Sequence, residues 1–159
     1  MNALTLLKDD HDKAKKLMEE LAATTERGVR TREEKWTKLL KELTIHENIE
    51  EEIFYPALHE TDDKELKDIV LEALEEHHLV DDIVEQLKDT PFDDEHWSAK
   101  FKVTKENVEH HIEEEEGPMF KAVRRVLSAD ELDELGTRME RRKSEQMEEA
   151  MPERDQVEL

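Results

Sequence analysis

Four histidines, each near the middle of a helix-length segment, are the residues best suited to chemistry in this sequence: His11, His46, His77 and His111. Two of them are followed four residues later by a glutamate, at Glu50 and Glu115. Four residues along an α-helix turn a side chain by only about 40° and raise it by about 6 Å, so each histidine and its glutamate can face one object. Because imidazole and carboxylate are common metal ligands, the pattern predicts a metal site.

The same pattern occurs twice along the chain. His11 and His46 are 35 positions apart, and His77 and His111 are 34 positions apart. In both pairs the second histidine opens a His-x-x-x-Glu motif. This repeat predicts two similar helical halves that meet at one site.

The number of ligands favours a dinuclear site over a mononuclear one. Four imidazoles and two carboxylates exceed what one tetrahedral zinc ion needs, but they suit two ions bridged by glutamate, with a position left for a small molecule. Cysteine is absent, which excludes iron–sulfur clusters and thiolate zinc sites. The ferritin-like pattern needs two Glu-x-x-His motifs, and only Glu75-x-x-His78 occurs, so that family is disfavoured.

Long helices must carry these residues, because only three glycines and four prolines interrupt the chain. Apolar residues at helical spacing predict four segments, at about 3–26, 31–56, 62–89 and 94–117. A capping box is expected at Thr31 with Glu34, and another at Ser128 with Glu131 opens a fifth helix to about Glu149. We therefore expect an all-α protein, an antiparallel up-down-up-down four-helix bundle over 1–127, with a C-terminal helix and acidic tail over 128–159.

The helix faces that carry the four histidines are otherwise apolar except for Thr104. An unpaired carboxylate or imidazolium in such a place costs several kcal/mol. A cation shared among the six ionisable side chains would remove that cost.

Charge and hydropathy exclude several kinds of partner. The net charge is −21, from 45 acidic and 24 basic residues, so nucleic acid and anionic membranes should be repelled. The first ten residues turn acidic before a signal-peptide core could form, and no long apolar run follows. We expect a cytoplasmic protein, whose oligomeric state the sequence leaves open.

The ordered set of motifs resembles the hemerythrin-like proteins of the HHE cation-binding family, over roughly residues 4 to 127. The matching stretches are LKDDH at 7–11, HENIEEEIFYP at 46–56, EEHHLV at 75–80 and HHIEEEEGPMF at 110–120. The resemblance implies two iron ions, Fe2+ or Fe3+, joined by an oxo or hydroxo bridge. It also implies that all four histidines bind them and that Glu50 and Glu115 bridge them.

The family further implies a small ligand, either dioxygen, nitric oxide or peroxide, and a role in sensing or in defence against oxidative or nitrosative stress. Whether the protein consumes peroxide or nitric oxide as an enzyme is left open. The alternative is a metal-buffering or purely structural bundle, whose histidines set the register of the helices.

The sequence departs from the oxygen carriers of the family at two places. They have a fifth histidine one turn from the third-helix ligand, where this chain has Ala73 and Asp81. Their last carboxylate follows its histidine by five residues, where this chain has Glu116 beside Glu115. We therefore expect redox chemistry or sensing rather than reversible oxygen transport, and Glu47, Asp81 and Glu116 remain possible further ligands.

The remaining histidines are expected to be solvated. His78 and His110 adjoin proposed ligands but point about 100° away on a helix. His59 and His96 lie near segment ends.

Overall fold

A computed structural model describes residues 1–150 of the chain, and every regular element in that part is a helix. The α-helices, in chain order, are α1 (Ala3–Ala22), α2 (Val29–Ile49), α3 (Tyr55–Glu60), α4 (Lys64–Lys88), α5 (Glu95–Glu114), α6 (Phe120–Val126) and α7 (Ala129–Glu149). Two π-helical turns, Glu50–Phe54 and Glu115–Met119, join α2 to α3 and α5 to α6. None of the described helices is both long enough and apolar enough to cross a membrane.

The helices form the four-helix bundle with an extra C-terminal helix that the sequence predicts. One arm of the bundle is α1, the second is α2 with α3, the third is α4, and the fourth is α5 with α6. α1 packs on α2 and α5, and α4 packs on α5 and α3. α7 lies outside the bundle against α1 and α2. The acidic tail predicted at the end of 128–159, after Pro152, lies outside the described residues.

Two apolar clusters fill the bundle, one on either side of the histidines. In α1, Leu7 belongs to one cluster and Ala14 to the other, with His11 between them. In α4, Ala73 and Val80 flank His77 in the same way. The ionisable residues therefore occupy a layer between two hydrophobic cores, which fixes their level along the bundle.

The two π-helical turns are a feature that the sequence analysis missed. The sequence predicts segments that end at about residues 56 and 117, but both arms continue as helices beyond Pro56 and Pro118. The Tyr55 N–H donates to the Glu50 carbonyl, five residues back, and the Phe120 N–H likewise reaches the Glu115 carbonyl. A wider turn tolerates a proline, which has no N–H to donate and would crowd the carbonyl four residues before it.

Polar caps set most of the helix starts. The side chains of Asp63 and Asp94 cap α4 and α5, and Ser128 forms the expected capping box with Glu131 at the start of α7. The capping box predicted at Thr31 is wrong, because α2 begins two residues earlier, at Val29, after Gly28. Arg30 and Thr31 lie inside the first turn of α2, whereas the prediction placed the start of the helix at Thr31.

Arg32 stabilises the end of the bundle that lies far from the two π-helical turns. Its guanidinium is buried and donates to the carbonyls of Thr24 and Phe92 and to the hydroxyls of Thr24 and Ser98. It also lies 4.6 Å from the centre of the Trp97 ring. These contacts connect the loop after α1 to the loop after α4 and to the start of α5.

α7 contacts the start of α1 through a glycine. A Cβ atom placed on Gly136 would lie 2.1 Å from the Met1 carbonyl oxygen and 2.8 Å from the Ala3 nitrogen. Only a residue without a side chain permits this approach. The close packing fixes α7 against the bundle.

We predict that Gly136→Ala destabilises the protein by about 1–3 kcal/mol, because overpacking must displace the backbone at the start of α1. Urea unfolding measures the change. Gly117→Ala is the matched control, since its new Cβ meets no atom within 4 Å. Equal stabilities of the two variants would contradict the close approach.

Candidate metal centre

The bundle brings together all six side chains that the sequence predicts as metal ligands. Each is buried, and none is more than 8% exposed. They are His11 from α1, His46 from α2, Glu50 and Glu115 from the starts of the two π-helical turns, His77 from α4 and His111 from α5. Their role as metal ligands is a prediction from their chemistry and spacing.

The donor atoms fall into two groups that share one carboxylate. The first donor group is His11, His46, Glu50 and Glu115, and the second donor group is Glu50, His77 and His111; within each group the donor atoms lie within 4.8 Å of one another. Glu50 Oε1 lies 3.3 Å from His46 Nε2 and 3.1 Å from His77 Nε2. Glu50 can therefore bridge two ions.

Glu115 also reaches toward both groups. Its Oε1 lies 3.1 Å from His11 Nε2, and its Oε2 lies 3.2 Å from His111 Nε2. The two oxygens of one carboxylate thus face histidines from different groups. This is the arrangement expected of a second bridge.

Several donor atoms at the centre have no hydrogen-bond partner, although they are buried. These atoms are His11 Nε2, His46 Nε2, Glu50 Oε2 and Glu115 Oε1. The short distance between His11 Nε2 and Glu115 Oε1 does not make a hydrogen bond, because the two groups are not aligned for one. Leaving buried polar atoms unsatisfied costs about 1–3 kcal/mol each. All four atoms come from the first donor group, and a cation would satisfy them, so the residues fit a metal.

A carboxylate lies behind every histidine, at the ring nitrogen that faces away from the centre. Each of these outer carboxylates is next in sequence to a predicted ligand on a neighbouring arm of the bundle. The four contacts are His46 Nδ1 to Asp10 at 2.9 Å, His77 Nδ1 to Glu51 at 2.8 Å, His111 Nδ1 to Glu76 at 2.7 Å and His11 Nδ1 to Glu116 at 2.7 Å. The contacts form a closed ring around the bundle, since each arm supports the histidine of the next.

The outer carboxylates determine which ring nitrogen of each histidine faces the centre with a lone pair. Each carboxylate accepts a hydrogen bond from Nδ1–H, so the neutral imidazole keeps its proton on Nδ1 and presents an unprotonated Nε2 inward. This tautomer is the one that binds a metal through Nε2. The ring also fixes the orientation of all four imidazoles before any ion binds.

Without a metal, protons would hold the centre together. Burial alone would lower the pKa of His77, but the hydrogen bond and charge of Glu50 raise it to about 9. Burial likewise opposes the charge on His111, yet Glu115, Glu50 and Glu76 raise its pKa to about 12. The pKa of Glu50 lies well below its ordinary value despite burial, because His46 and other imidazoles face it. Positive charge is thus favoured at this place.

Tyr55 belongs to the centre, and the sequence analysis took it only as part of a family motif. Its hydroxyl donates to Glu115 Oε2 at 2.9 Å and lies 3.4 Å from His77 Nε2 and 3.5 Å from His111 Nε2. Burial and the nearby carboxylates raise the pKa of this phenol well above its ordinary value. Tyr55 follows Glu50 by five residues, so the π-helical turn brings it to the face of the helix that carries the glutamate.

The other candidate ligands lie on the outer side of the histidines. Glu47 lies with Glu51 beside His77, and Glu116 faces His11 Nδ1. Burial and a hydrogen bond with Asp81 raise the pKa of Glu47 to about 8. Asp81 itself is exposed. Glu47 and Glu51 form, with His77, a third group of possible ligands next to the second donor group.

The four remaining histidines are exposed, as expected. His78 lies 3.6 Å from Glu75, and His110 lies 3.5 Å from Glu76. Neither faces the centre.

A small cavity lies beside the histidines. Its volume is about 60 Å³, and its walls include the four histidines together with Ala14, Leu43, Val80, Val108 and Ile112. Glu47 lines it as well, and Lys143 and Met147 of α7 close one side. The centre therefore has a largely apolar space next to it, several times the roughly 10–15 Å³ that one water needs.

Comparisons with known proteins agree with this geometry. The chain is similar in structure to the crystal structure of a hemerythrin HHE cation binding domain-containing protein from Mycobacterium kansasii, described as an Rv2633c homolog. The TM-score is 0.84 and the sequence identity 30%, over 95% of this chain and 90% of that one. A curated relative, a DNA nickase from Nostoc sp. strain PCC 7120, is 26% identical over 148 residues. That match covers 91% of this chain but only 40% of the relative.

A family model also matches most of the chain. The hemerythrin HHE cation binding domain matches residues 2–123, which include all six predicted ligands and the four outer carboxylates. The chain belongs to the hemerythrin HHE cation-binding domain family.

Proposed function

We propose that this protein is a non-haem di-iron protein that binds or reduces a small oxidant, either dioxygen, nitric oxide or peroxide. In the cell this activity would serve sensing or defence against oxidative or nitrosative stress. The observation that carries the proposal is the pair of buried donor groups that share Glu50. Two ions in these groups would lie next to each other, which suits two-electron chemistry.

The donor set favours iron. Each group offers two imidazoles and at least one carboxylate, and this combination, with positions left open, is typical of non-haem iron. Bound iron would supply the electrons for reducing the oxidant. The protein side chains hold the ions, orient the imidazoles and exclude bulk water.

The size and polarity of the cavity indicate the kind of substrate. A space of about 60 Å³ admits a diatomic molecule or a peroxide. Charged residues such as Asp10 and Lys143 also line it, but most of its wall is apolar, which favours a neutral molecule over a strongly hydrated ion. The cavity beside the donor groups therefore suits a small uncharged oxidant.

Reduction of peroxide or dioxygen consumes protons as well as electrons. Glu47 lines the cavity, and its pKa of about 8 keeps the carboxyl mostly protonated at neutral pH. Asp81, one of the groups that raise this pKa, is exposed, and Glu47 itself is only partly buried. Glu47 can thus deliver a proton to the cavity and be reprotonated from outside.

Action on DNA is not part of this proposal. A net charge of −21 disfavours contact with a phosphate backbone. The larger part of the Nostoc nickase also lies outside the match. The same charge disfavours anionic membrane surfaces, so we propose neither nucleic acid nor membrane as a partner.

We predict that Glu50→Gln reduces iron binding to well below the two ions per chain expected of the unaltered protein, because both donor groups lose their shared charge. Metal analysis after anaerobic loading with ferrous iron gives the number. The control is His78→Ala, which alters an exposed residue next to His77 and should leave two ions bound. Two results would support the alternative of a metal-buffering or purely structural bundle. The unaltered protein would hold one zinc ion, or it would be equally heat-stable without metal.

The metal-free protein should lose stability as pH rises. The pKa of His77 is raised from 6.5 to about 9, so its contribution is fully present below pH 6.5 and is lost as pH passes through 9. Iron-loaded protein should behave oppositely over this range, since metal competes with protons for the imidazoles. Melting temperatures of both forms between pH 6 and 10 test this. His77→Gln should remove part of the slope, and a metal-free protein that becomes more stable with pH would contradict the prediction.

Tyr55→Phe tests the role of the phenol. Loss of the hydroxyl leaves Glu115 Oε2 without its donor, so we expect the metal-free protein to lose about 1–3 kcal/mol of unfolding free energy. Iron should still bind, with altered near-ultraviolet charge-transfer absorption. Urea unfolding and absorption spectra measure the two effects. Unchanged spectra and stability would show that the phenol does not act on the centre.

A further inference from the structure

The two donor groups are supported differently behind their outer carboxylates. Asp10 and Glu116 stand behind the first donor group, and each has a lysine within 4 Å. Glu51 and Glu76 stand behind the second donor group, and among the described residues neither has a lysine or arginine within that distance. The positive charge around the centre is therefore concentrated on one side.

Lys143 makes the shorter of the two lysine contacts. Its Nζ lies 2.6 Å from Asp10 Oδ1, while Asp10 Oδ2 lies 2.9 Å from His46 Nδ1. Lys143 and Asp10 have side-chain exposures of 25% and 11%, so water screens this pair only partly. By contrast, Lys8 is 3.7 Å from Glu116, is 56% exposed and also contacts Asp12.

Lys143 comes from α7, the helix outside the bundle. The close packing of Gly136 on the start of α1 fixes this helix in place. Arg142, the residue before Lys143, adds an ion pair with Glu52 at 2.9 Å. Lys143 also lines the cavity. A helix that supplies no metal ligand thus places a cation two hydrogen bonds from the centre.

We propose that Lys143 is a positioning residue that makes the two iron ions inequivalent, so that the ion in the first donor group is the more easily reduced. This inference rests on the proposed di-iron function. A carboxylate behind a metal-bound histidine makes the imidazole a stronger electron donor. Lys143 draws the charge of Asp10 away from His46 and weakens that effect. Its own positive charge acts in the same direction, because it disfavours the more highly charged ferric ion.

The second donor group has the opposite surroundings. Within residues 1–150, no lysine or arginine lies within 4 Å of the carboxylates that His77 and His111 face, and only the exposed His110 lies near Glu76 besides. Their imidazoles therefore remain the stronger donors. An iron ion held by His77 and His111 would favour the ferric state. With both ions bound, the first electron would be expected at the first donor group and the second electron at the second donor group.

Electrochemical reduction of the iron-loaded protein tests the proposal. An electrode with mediators supplies one electron for each ferric ion, and electron paramagnetic resonance measures the mixed-valence fraction at half reduction. Wild-type protein should show two separate one-electron steps with a large mixed-valence fraction. In Lys143→Met the two midpoint potentials should move closer, and the mixed-valence fraction should fall. Lys143→Arg keeps the charge and should resemble wild type.

Arg142→Met is the matched control. It removes a cation from the same helix but leaves the four outer carboxylates untouched, so both potentials should stay in place. If Lys143→Met binds less iron, the same measurement is made on Lys143→Gln. The glutamine amide is uncharged but can still donate a hydrogen bond to Asp10. Circular dichroism confirms that each variant is folded.

The outcomes separate this inference from the proposed function. Wild-type protein without two irons would overturn the di-iron function itself. Two irons in wild type, with identical potentials in Lys143→Met, Lys143→Gln and wild type, would overturn only the role of Lys143.

Discussion

The structure depends on one costly arrangement, which is the burial of four imidazoles and two carboxylates in contact with one another. Apolar side chains above and below this layer bury it within the bundle. Glu50 is fully buried, yet its pKa lies well below the ordinary value, so its carboxylate is charged and needs cations beside it. Protons can serve in the metal-free chain, but they leave the Nε2 atoms of His11 and His46 without partners. Metal ions satisfy the whole set, and for this reason we regard the layer as a metal centre and not as a polar patch in the core.

The ring of outer carboxylates explains how four separate arms keep one register. Each arm carries a predicted ligand and, beside it in the sequence, the carboxylate that supports the histidine of the next arm, as Asp10 and His11 show in α1. A slip of one residue in any arm would remove a ligand and an outer carboxylate together. Hydrophobic packing tolerates small shifts, whereas hydrogen bonds of 2.7–2.9 Å do not. The ring therefore gives the centre a defined geometry that the two apolar clusters alone could not provide.

The two halves of the chain repeat each other closely, but the finished centre is not symmetric. Both halves carry a histidine followed by a His-x-x-x-Glu motif that leads into a π-helical turn. Symmetry is broken once within the repeat and once outside it. Tyr55 has its counterpart in Phe120, which has no hydroxyl. Outside the repeat, α7 covers the side of the bundle formed by α1 and α2. A small oxidant would consequently meet two ions with different surroundings.

The periodic placement of residues determined much of this protein before any folding was considered. Helical spacing predicted all-α architecture, and the six ionisable side chains on apolar faces stood out because such burial is expensive. The start of α7 at Ser128 was also predictable, since a capping box is a local interaction between Ser128 and Glu131. These features depend on residues within one turn or one helix face, which is information that a sequence carries directly.

Only the tertiary structure decided the rest. The outer role of Glu51 and Glu76 could not be read among 45 acidic residues, because it depends on which helix lies beside which. The π-helical turns escaped prediction, since a proline in sequence marks an interrupted hydrogen bond but not whether the helix continues. The link from Lys143 to Asp10 joins residues 133 positions apart. The spacing of residues in the sequence determines which side chains share one face of a helix. The packing of the helices determines which side chains of other helices they contact.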